Sequence, residues 1–486
     1  MRPRSQTRPA GSGLALLALA LACSLCACGG GEGAAPARNL LFISIDTLRA
    51  DALGSYGNER GASPELDAFA RRSVLFERAW SHSPKTAPSH MTMLTGLPPR
   101  AHGVGNLNTS GASTLGEEAH TLAEILRGRG FRTGAVTSGG NVKAALGFDR
   151  GFELYVDRGR PLDKNLPLAE RWLGEVGEDE RWFLFFHTYE VHDPYFPKAA
   201  DLEQFADPNY AGRILGDRVR LTQRIAAGDD LAPNASGHDH LVKNFWRRAD
   251  LEDPADLQHL HDLYLAGLLG ADRQLGAFLR RLEQRGQLEN TLVVITSDHG
   301  EEFGEHGRPL HDQLWREVLH VPLLVRLPDE RAAGTRIEAD VRHMDLLPSL
   351  LELLDVPHPS GDLPGASWVP WIDAPETAEP RPAFAEHRSL RERPLDLWAL
   401  RSEGWLLHQD REGEQSLHEL QGDPSELDPQ SDEAQRARLE AERLHELGRL
   451  AELAARYATG EGVEVDAETR AELEALGYFG EDEDED

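Results

Sequence analysis

The chain has 486 residues, of which 51 are Lys or Arg and 82 are Asp or Glu, and its formal net charge is −31. A chain this acidic repels polyanions at long range, so nucleic acid is excluded as the expected partner. The length favours one large domain and a smaller one over a single small core.

The first residues have the pattern of an export signal. Three arginines among the first eight residues precede a short apolar run at 14–22, which is too short to span a bilayer as a mature helix. The Leu-Cys-Ala-Cys sequence at 25–28 then resembles a bacterial lipobox with Cys28 as the lipidated residue. We predict a lipoprotein signal peptide over 1–28 and a flexible tether over 29–38. The protein would then be exported and anchored to a bacterial membrane, facing the periplasm; the alternative is a plain secretory signal.

All three cysteines of the chain lie within this segment. The remaining sequence therefore offers neither a disulfide nor a cysteine-based metal site.

Apolar runs alternate with amphipathic stretches along most of the chain. Helical periodicity predicts a helix over 121–127 and one or two helices over 257–284. The runs that predict buried strands cover residues 39–45, 132–137, 182–186, 291–296 and 321–326. Strands that alternate with helices favour an α/β sheet covered on both faces.

The composition shifts to Pro, Ala and Glu at 373–382, which indicates a boundary. Beyond it, residues 397–409 are strand-rich. Leucines at helical spacing over 435–457 predict an amphipathic helix, which we expect to pack on the main domain. The predicted divisions are a main domain over 39–375, a small α+β subdomain over 376–432, a helical segment over 433–480 and an acidic tail over 481–486.

Two polar clusters directly follow predicted strands. Asp46 comes after the strand at 39–45, and Asp298 and His299 come after the strand at 291–296. Because ligand sites of open α/β sheets gather at the carboxyl ends of strands, we expect these side chains to share one site. A ligand set of carboxylates and an imidazole suits Zn, Mn, Fe or Mg better than Ca, which prefers a cage made of oxygen ligands alone. The alternatives are a helix N-cap for Asp46 and a charged surface loop for the other cluster.

A third cluster, residues 83–96, combines hydroxyl side chains with prolines. Within it, Thr86 stands before Ala87, Pro88 and Ser89. A hydroxyl at the start of a helix is placed to attack an anionic group that the helix dipole favours. Taken alone this signal is weak, since Ser and Thr before Pro are common in turns.

Together these stretches resemble the sulfatase family of the alkaline-phosphatase superfamily. The stretches that carry the resemblance are NLLFISIDTLRADALGSYG, TAPSHMTMLTGLPPRAHGV, FFHTYEVHDPYFP and ITSDHGEEFGEHG. It extends over roughly residues 39 to 480. It implies an alkaline-phosphatase-like fold, in which a large mixed, mostly parallel sheet lies between helices and a smaller C-terminal antiparallel-sheet subdomain follows. It also implies that the main domain is a catalytic domain that hydrolyses sulfate or phosphate esters.

The sequence departs from the family pattern at the centre of the site. Thr86 stands where the family has a Cys or Ser that is converted to formylglycine, and His90 stands where it has an Arg. Because Thr is not a substrate for that conversion, no formylglycine is expected. The family's Asp-Asp pair is Asp46-Thr47 here, which removes one oxygen ligand. What remains is similar to the single-metal site of phosphoglycerol transferases, or to half of the two-metal site of nucleotide phosphodiesterases.

The resemblance implies roles for particular residues. It implies one divalent ion (Ca, Mg, Mn or Zn), with these ligands: Asp46, Thr86, Asp298 and His299. Thr86 would be the nucleophile, and His192 would contact the ester oxygens or protonate the leaving group. His90 is a further catalytic candidate. The candidates for substrate binding are Lys85, His306 and His311, for which the alternative is a supporting or surface role.

The expected substrate is a small anionic ester. A Thr ester is released by attack of water on the central atom. Because that step is familiar for phosphoryl groups in the superfamily, the chemistry favours phosphate esters, whereas the family resemblance favours sulfate esters. A phosphodiesterase or a phosphoglycerol-type head-group transferase is the alternative. A non-catalytic binding protein of the same fold is a third hypothesis, which the full set of ligands disfavours.

Overall fold

The computed structural model describes residues 37–107, 113–233, 237–359, 363–388, 396–457 and 460–463. The predicted signal peptide and the acidic tail at 481–486 lie outside these ranges. No described helix is both long and apolar enough to cross a membrane.

Two sheets carry most of the strands. The strands are β1 Asn39–Ile45, β2 Val74–Trp80, β3 Phe131–Val136, β4 Leu154–Val156, β5 Arg181–Thr188, β6 Thr291–Thr296, β7 Glu302–Phe303, β8 Pro309–Leu310, β9 His320–Arg326, β10 Arg336–Arg342, β11 Ala383–Arg388, β12 Asp396–Ser402, β13 Trp405–Gln409 and β14 Gln415–Glu419. The main sheet has eight strands in the order β10-β2-β9-β6-β1-β5-β3-β4. Among the described strands of this sheet, only β9 runs antiparallel to its neighbours, so the sheet is mixed and mostly parallel, as predicted.

Helices cover both faces of this sheet. They are α1 Pro64–Ala70, α2 Thr86–Thr95, α3 Pro99–His102, α4 Leu122–Arg127, α5 Leu162–Glu175, α6 Ala199–Leu202, α7 Arg218–Ala226, α8 Gly237–Trp246, α9 Pro254–Gln284, α10 Arg316–Leu319, α11 Leu346–Leu353, α12 Val369–Asp373 and α13 Glu433–Arg456. Short 3₁₀ helices lie at Ala50–Ala52, Gly54–Tyr56, Ala144–Leu146, His343–Asp345 and Pro375–Thr377. The region predicted as one or two helices over 257–284 is the single helix α9.

The central strand β1 shows why the sequence has continuous apolar runs. Leu40 and Phe42 pack into the core on one face of the sheet, and Leu41 and Ile43 pack into the core on the other. Successive side chains of a strand point to opposite faces, so a strand buried on both faces needs apolar residues at every position. This burial fixes β1, and with it Asp46 at the end of the strand.

The small C-terminal sheet has four antiparallel strands in the order β11-β12-β13-β14. Helix α13 packs against it: Leu439 and Leu450 are buried in one cluster with Trp398 and Leu407. The Asp432 side chain caps the helix by accepting from the backbone of Ala434 and Gln435 at 3.0 Å. The predicted fold class is thereby confirmed, while the predicted domain boundaries remain predictions.

Candidate active site

Adjacent parallel strands bring Asp46 and Asp298 together. In the β1–β6 pair, Ser44 lies opposite Thr296, and each aspartate comes two residues later. The ligand atoms of Asp46, Asp298 and His299 all lie within 4.8 Å of one another, and all three side chains are fully buried. The two predicted clusters thus form one group at the carboxyl edge of the sheet.

Three polar atoms of this group are buried and make no well-formed hydrogen bond within the described residues: Asp46 Oδ1, Asp298 Oδ2 and His299 Nε2, of which the last two lie 3.3 Å apart. The His299 Nδ1 lies 3.0 Å from the Gly300 carbonyl oxygen, which only accepts, so Nδ1 donates and Nε2 keeps its lone pair. Buried carboxylates left without partners are costly unless they are paired or bind a metal. The donor set therefore fits a divalent cation.

The electrostatics of the group agree with that assignment. Burial raises the pKa of Asp46 to about 7. Burial, followed by the charge of Asp46, raises the pKa of Asp298 well above its usual range. Burial also lowers the pKa of His299 well below its usual range, so its imidazole is neutral and able to bind a cation. Two carboxylates this close share a proton unless a cation offsets their charge.

Thr86 is the first residue of α2, and its side chain is completely buried. Its hydroxyl lies near enough to the Asp46 carboxylate to lower the pKa of Asp46 by hydrogen bonding, although burial remains the larger effect. Pro88 fits in the first turn because the backbone N–H groups there need no partner within the helix. The hydroxyl therefore lies beside the candidate metal ligands at the start of a helix.

Two tight backbone segments hold the ligands in place. Thr47 has a φ of 55°, which is rare for a β-branched residue, and its backbone N–H donates to Asp298 Oδ1 at 3.3 Å. Gly300 lies so close to the Glu317 carbonyl oxygen that a Cβ there would collide with it. Both segments therefore fix the positions of the side chains next to them.

His90, predicted as a catalytic candidate, has both ring nitrogens engaged. Its Nε2 lies 2.9 Å from Ser44 Oγ and its Nδ1 lies 2.9 Å from the Thr86 carbonyl oxygen. The same Nδ1 lies 3.5 Å from Asp298 Oδ2. Burial lowers the pKa of His90 to about 4, so the ring is neutral. The structure gives His90 the contacts of a positioning residue.

His187 was not predicted from the sequence. Its Nε2 lies 3.1 Å from Asp46 Oδ2, and its ring centroid lies 4.9 Å from that of His90. The available signal was that an imidazole follows an apolar run at a strand end. The predicted strand stopped at Phe186, however, and the sequence does not show that β5 lies next to β1.

The other predicted residues lie on two sides of the group. The His311 ring centroid lies 4.5 Å from that of His299 and 5.5 Å from that of His192. Lys85 forms an ion pair with Asp312, and its positive charge adds to the effect of burial in lowering the pKa of His299. These three predicted residues, His192, His311 and Lys85, therefore border the group.

His306 has different surroundings. Its ring stacks on Trp315 with centroids 4.2 Å apart, and its Nε2 lies 3.3 Å from Glu317 Oε2. Trp315 in turn stacks on His408 of the small sheet at 3.9 Å. The contacts described for His306 therefore connect its loop to the C-terminal sheet rather than to Asp46.

A cavity of about 490 Å³ lies on the His192 side of the site, and its lining residues do not include Thr86 or the candidate metal ligands. His192 and Asp193 lie in its wall, together with Arg160, Lys198 and Glu190. The cavity thus carries side chains of both charges, which suits a polar substrate.

The sheet architecture and the ligand group at its carboxyl edge define an alkaline-phosphatase-like hydrolase. The model of the sulfatase family matches residues 38–356, and a model described as N-sulphoglucosamine sulphohydrolase, C-terminal, matches residues 304–453. The chain therefore belongs to the sulfatase family, a family of sulfuric ester hydrolases.

Curated relatives agree with this assignment. The N-acetylglucosamine-6-O-sulfatase of Bacteroides thetaiotaomicron is 24% identical over 400 residues, which cover 69% of this chain and 71% of the relative. The ulvan-active sulfatase of Formosa agariphila is 27% identical, and the match covers 66% of this chain and 63% of the relative. Human N-sulphoglucosamine sulphohydrolase is 27% identical, and the match covers 69% of this chain and 64% of the relative. The chain thus spans about two thirds of the length of these relatives.

Solved structures share the fold at lower identity. BT4656, in complex with its substrate D-glucosamine-2-N,6-O-disulfate, superimposes with a TM-score of 0.68 at 20% identity and covers 86% of this chain and 98% of its own. The phosphonate monoester hydrolase of Agrobacterium radiobacter has a TM-score of 0.65 at 22% identity, with 87% and 96% covered. The fold is therefore common to enzymes that act on sulfur and on phosphorus centres.

Proposed function

We propose that this chain is a metal-dependent hydrolase of sulfate or phosphate esters in which Thr86 is the nucleophile. One observation carries the proposal: the buried Thr86 hydroxyl lies beside the carboxylate of Asp46. Asp46, Asp298 and His299 each have a buried polar atom that makes no well-formed hydrogen bond within the described residues. A structural threonine needs no such neighbours, whereas a nucleophile needs a group that activates it.

The candidate ligands of the divalent ion are Asp46, Asp298 and His299, with the Thr86 hydroxyl next to them. When bound, the ion lowers the pKa of that hydroxyl and offsets negative charge on the ester. Thr47 and Gly300 hold the ligands through the backbone. The mixed oxygen and nitrogen donors favour Zn or Mn over Ca.

In the first step, the Thr86 hydroxyl gives its proton to solvent and its oxygen forms a bond to sulfur or phosphorus, while the bond from that atom to the leaving oxygen breaks. The leaving oxygen takes up a proton from solvent in the cavity. In the second step, water attacks the same central atom and gives up a proton, while the bond to Thr86 breaks and the Thr86 oxygen takes up a proton to restore its hydroxyl. His192 lines the cavity and is the side chain placed to interact with the leaving oxygen.

Two arguments bear on whether the central atom of the ester is sulfur or phosphorus, and they favour different answers. The names of the curated relatives support a sulfate ester. The threonine supports a phosphate ester, because its covalent ester must be resolved by attack of water on the central atom. The fold does not decide, since phosphonate monoester hydrolases share it. The proposal therefore covers both classes.

The test is a rate measurement on an aryl sulfate and an aryl phosphate with the same leaving group. Thr86→Ala should lower turnover by about a thousandfold or more, because loss of a covalent nucleophile costs several powers of ten. Thr86→Ser should keep part of the activity, since the hydroxyl remains. The matched control is Thr95→Ala at the other end of α2, which should leave the rates within about threefold. Unchanged rates in Thr86→Ala on both esters would contradict the proposal.

A further inference from the structure

The His192 imidazole is held by the residue that follows it in the chain. Its Nδ1 lies 2.8 Å from the backbone carbonyl oxygen of Asp193 and 3.1 Å from Asp193 Oδ1. A carbonyl oxygen only accepts, so Nδ1 carries a hydrogen. Nε2, on the opposite edge of the ring, is therefore the nitrogen that can exchange a proton with a substrate.

The Asp193 carboxylate is fixed in turn by an indole from a distant part of the chain. Trp246, the last residue of α8, donates from Nε1 to Asp193 Oδ2 at 2.8 Å. The indole packs edge to face against Phe245 and Tyr195, with ring centroids 5.4 and 6.1 Å away. Because Oδ2 accepts from the indole, Oδ1 is the oxygen that faces His192. Contacts thus run from Trp246 through Asp193 to His192.

Burial strengthens these contacts. His192 is 7% exposed and Asp193 is 8% exposed. Burial raises the pKa of Asp193, and the charge of His192 and the hydrogen bond from Trp246 both act against that rise. A buried carboxylate at one ring nitrogen stabilises the imidazolium that forms when the other nitrogen gains a proton. A donor behind the carboxylate keeps it in the orientation that this requires.

His192 lies between the candidate metal ligands and the cavity. It lines the cavity, and its ring centroid lies 5.5 Å from that of His311. Among the effects on the pKa of Asp46, burial is the largest and the opposing charge of His192 is the second. In an in-line attack by Thr86, the leaving group departs on the side away from the hydroxyl. The cavity on the His192 side offers space for that group.

We propose that Asp193 and Trp246 are positioning residues that hold His192 for proton transfer at the leaving oxygen. In the first step, the bond from the central atom to the leaving oxygen breaks, and the His192 imidazolium gives its Nε2 proton to that oxygen in place of solvent. In the second step, Nε2 takes the proton that the attacking water gives up, which restores the imidazolium. The inference deepens the proposed function and rests on it for the ester substrate and its leaving oxygen.

The experiment compares two esters that differ only in the leaving oxygen, in whichever class, sulfate or phosphate, the wild type turns over faster. A nitrophenyl ester releases an oxygen that is stable without a proton, whereas the leaving oxygen of a phenyl ester needs one. Asp193→Asn should lower kcat by about 10- to 100-fold on the phenyl ester and by less than about threefold on the nitrophenyl ester. The asparagine oxygen would still accept from Trp246, which turns the asparagine NH₂ group toward the protonated Nδ1 of His192.

Further variants separate positioning from a structural role. Trp246→Phe removes the donor but keeps a packed ring, so the same difference between the two esters should appear with a smaller size. The matched control is Trp405→Phe on β13 of the small sheet, which should leave both rates within about threefold. His192→Gln with Asp193→Asn should be no slower on the phenyl ester than His192→Gln alone, because Asp193 acts through His192. Circular dichroism checks the fold, and Trp246→Phe carries the test if Asp193→Asn does not fold.

The outcomes separate this inference from the proposed function. Unchanged rates or equal losses on the two esters in Asp193→Asn, or a further loss in the double variant, would overturn the positioning role and leave Thr86 as the nucleophile. The expected difference between the esters, in an enzyme whose Thr86→Ala variant keeps its full rates, would support the positioning role and overturn Thr86. A wild type that hydrolyses neither class of ester overturns both.

Discussion

His187 and Asp46 form a fully buried pair in which His187 Nε2 lies 3.1 Å from Asp46 Oδ2. Burial lowers the pKa of His187 to about 3, so the ring is neutral and its N–H donates to the carboxylate. The other oxygen, Asp46 Oδ1, has no ordinary hydrogen-bond partner in the described part of the chain. The pair thus orients one carboxylate oxygen and leaves the other for a cation.

The first prediction concerns this pair. His187→Ala should weaken metal binding by about 10- to 100-fold, because removing the partner of a ligand lets the ligand reorient. His187→Gln should have a smaller effect, since its amide can still donate to Asp46. Calorimetric titration of the chelated protein with Zn²⁺ measures both, with His445→Ala on the exposed face of α13 as the control. Equal affinity in wild type and His187→Ala would show that the pair does not orient the ligand.

The second prediction concerns the turn after His299. Gly300→Ala should destabilise the protein by about 1–3 kcal/mol, because the added Cβ meets the Glu317 carbonyl oxygen. It should also weaken metal binding, since the turn would carry His299 with it. Gly174→Ala is the control: apart from the backbone of its own helix α5, no described residue lies within 4 Å of its Cβ position, so a change of less than about 1 kcal/mol is expected. Denaturant unfolding measures both variants, and equal stabilities would refute the close approach.

The third prediction concerns pH and a histidine beneath α2. The Val104 backbone N–H donates to His102 Nδ1 at 3.0 Å, and His102 Nε2 lies 3.2 Å from the Pro88 carbonyl oxygen. The ring is therefore neutral, and burial lowers its pKa from 6.5 to about 3. Below pH 6.5 the unfolded chain binds more protons than the folded one, so the free energy of unfolding should fall as the pH drops.

The variant that tests this effect is His102→Gln. Between pH 6 and pH 4.5 the wild type should lose up to about 1.4 kcal/mol more per pH unit than the variant. Near pH 8 the two stability curves should run parallel, and their offset there measures only the altered hydrogen bonds. Curves that stay parallel down to pH 4.5 would mean that His102 becomes protonated in the folded protein.

The sequence predicted those features of the fold and the site that depend on neighbouring residues in the chain, and it missed those that depend on contacts between distant segments. β1 was predictable because burial on both faces leaves a continuous apolar run, and Asp46 was predictable because it ends that run. His187 was missed because its importance depends on β5 lying next to β1, a neighbour relation between distant segments. The approach of His311 to His192 depends likewise on the folded chain. Residue types at strand ends can be read locally, but contacts between elements require the sheet order.

The fourth prediction concerns the N-terminal segment. We predict that the protein is exported and that Cys28, at the end of the Leu-Cys-Ala-Cys sequence, carries a lipid that would hold it at a membrane. Cys28→Ala should release the protein into the soluble fraction or leave the signal peptide uncleaved. Cys23→Ala, within the same segment, should fractionate as the wild type does. Fractionation followed by mass spectrometry of the N-terminal peptide measures both, and a membrane-bound, processed Cys28→Ala protein would exclude the anchor.

The last prediction concerns Lys85, which directly precedes Thr86 and pairs with Asp312. A cation beside the nucleophile would contact the ester oxygens in the bound substrate and in the transition state alike, and such uniform binding lowers KM without raising kcat. Lys85→Met should therefore raise KM by about tenfold or more, as a charge-assisted hydrogen bond of about 1.5–3 kcal/mol implies, with a smaller change in kcat. The KM of Lys85→Arg should lie between those of the wild type and Lys85→Met. Lys164→Met, at an exposed lysine, is the control. A fall in kcat at constant KM would instead place the Lys85 contact in the transition state alone.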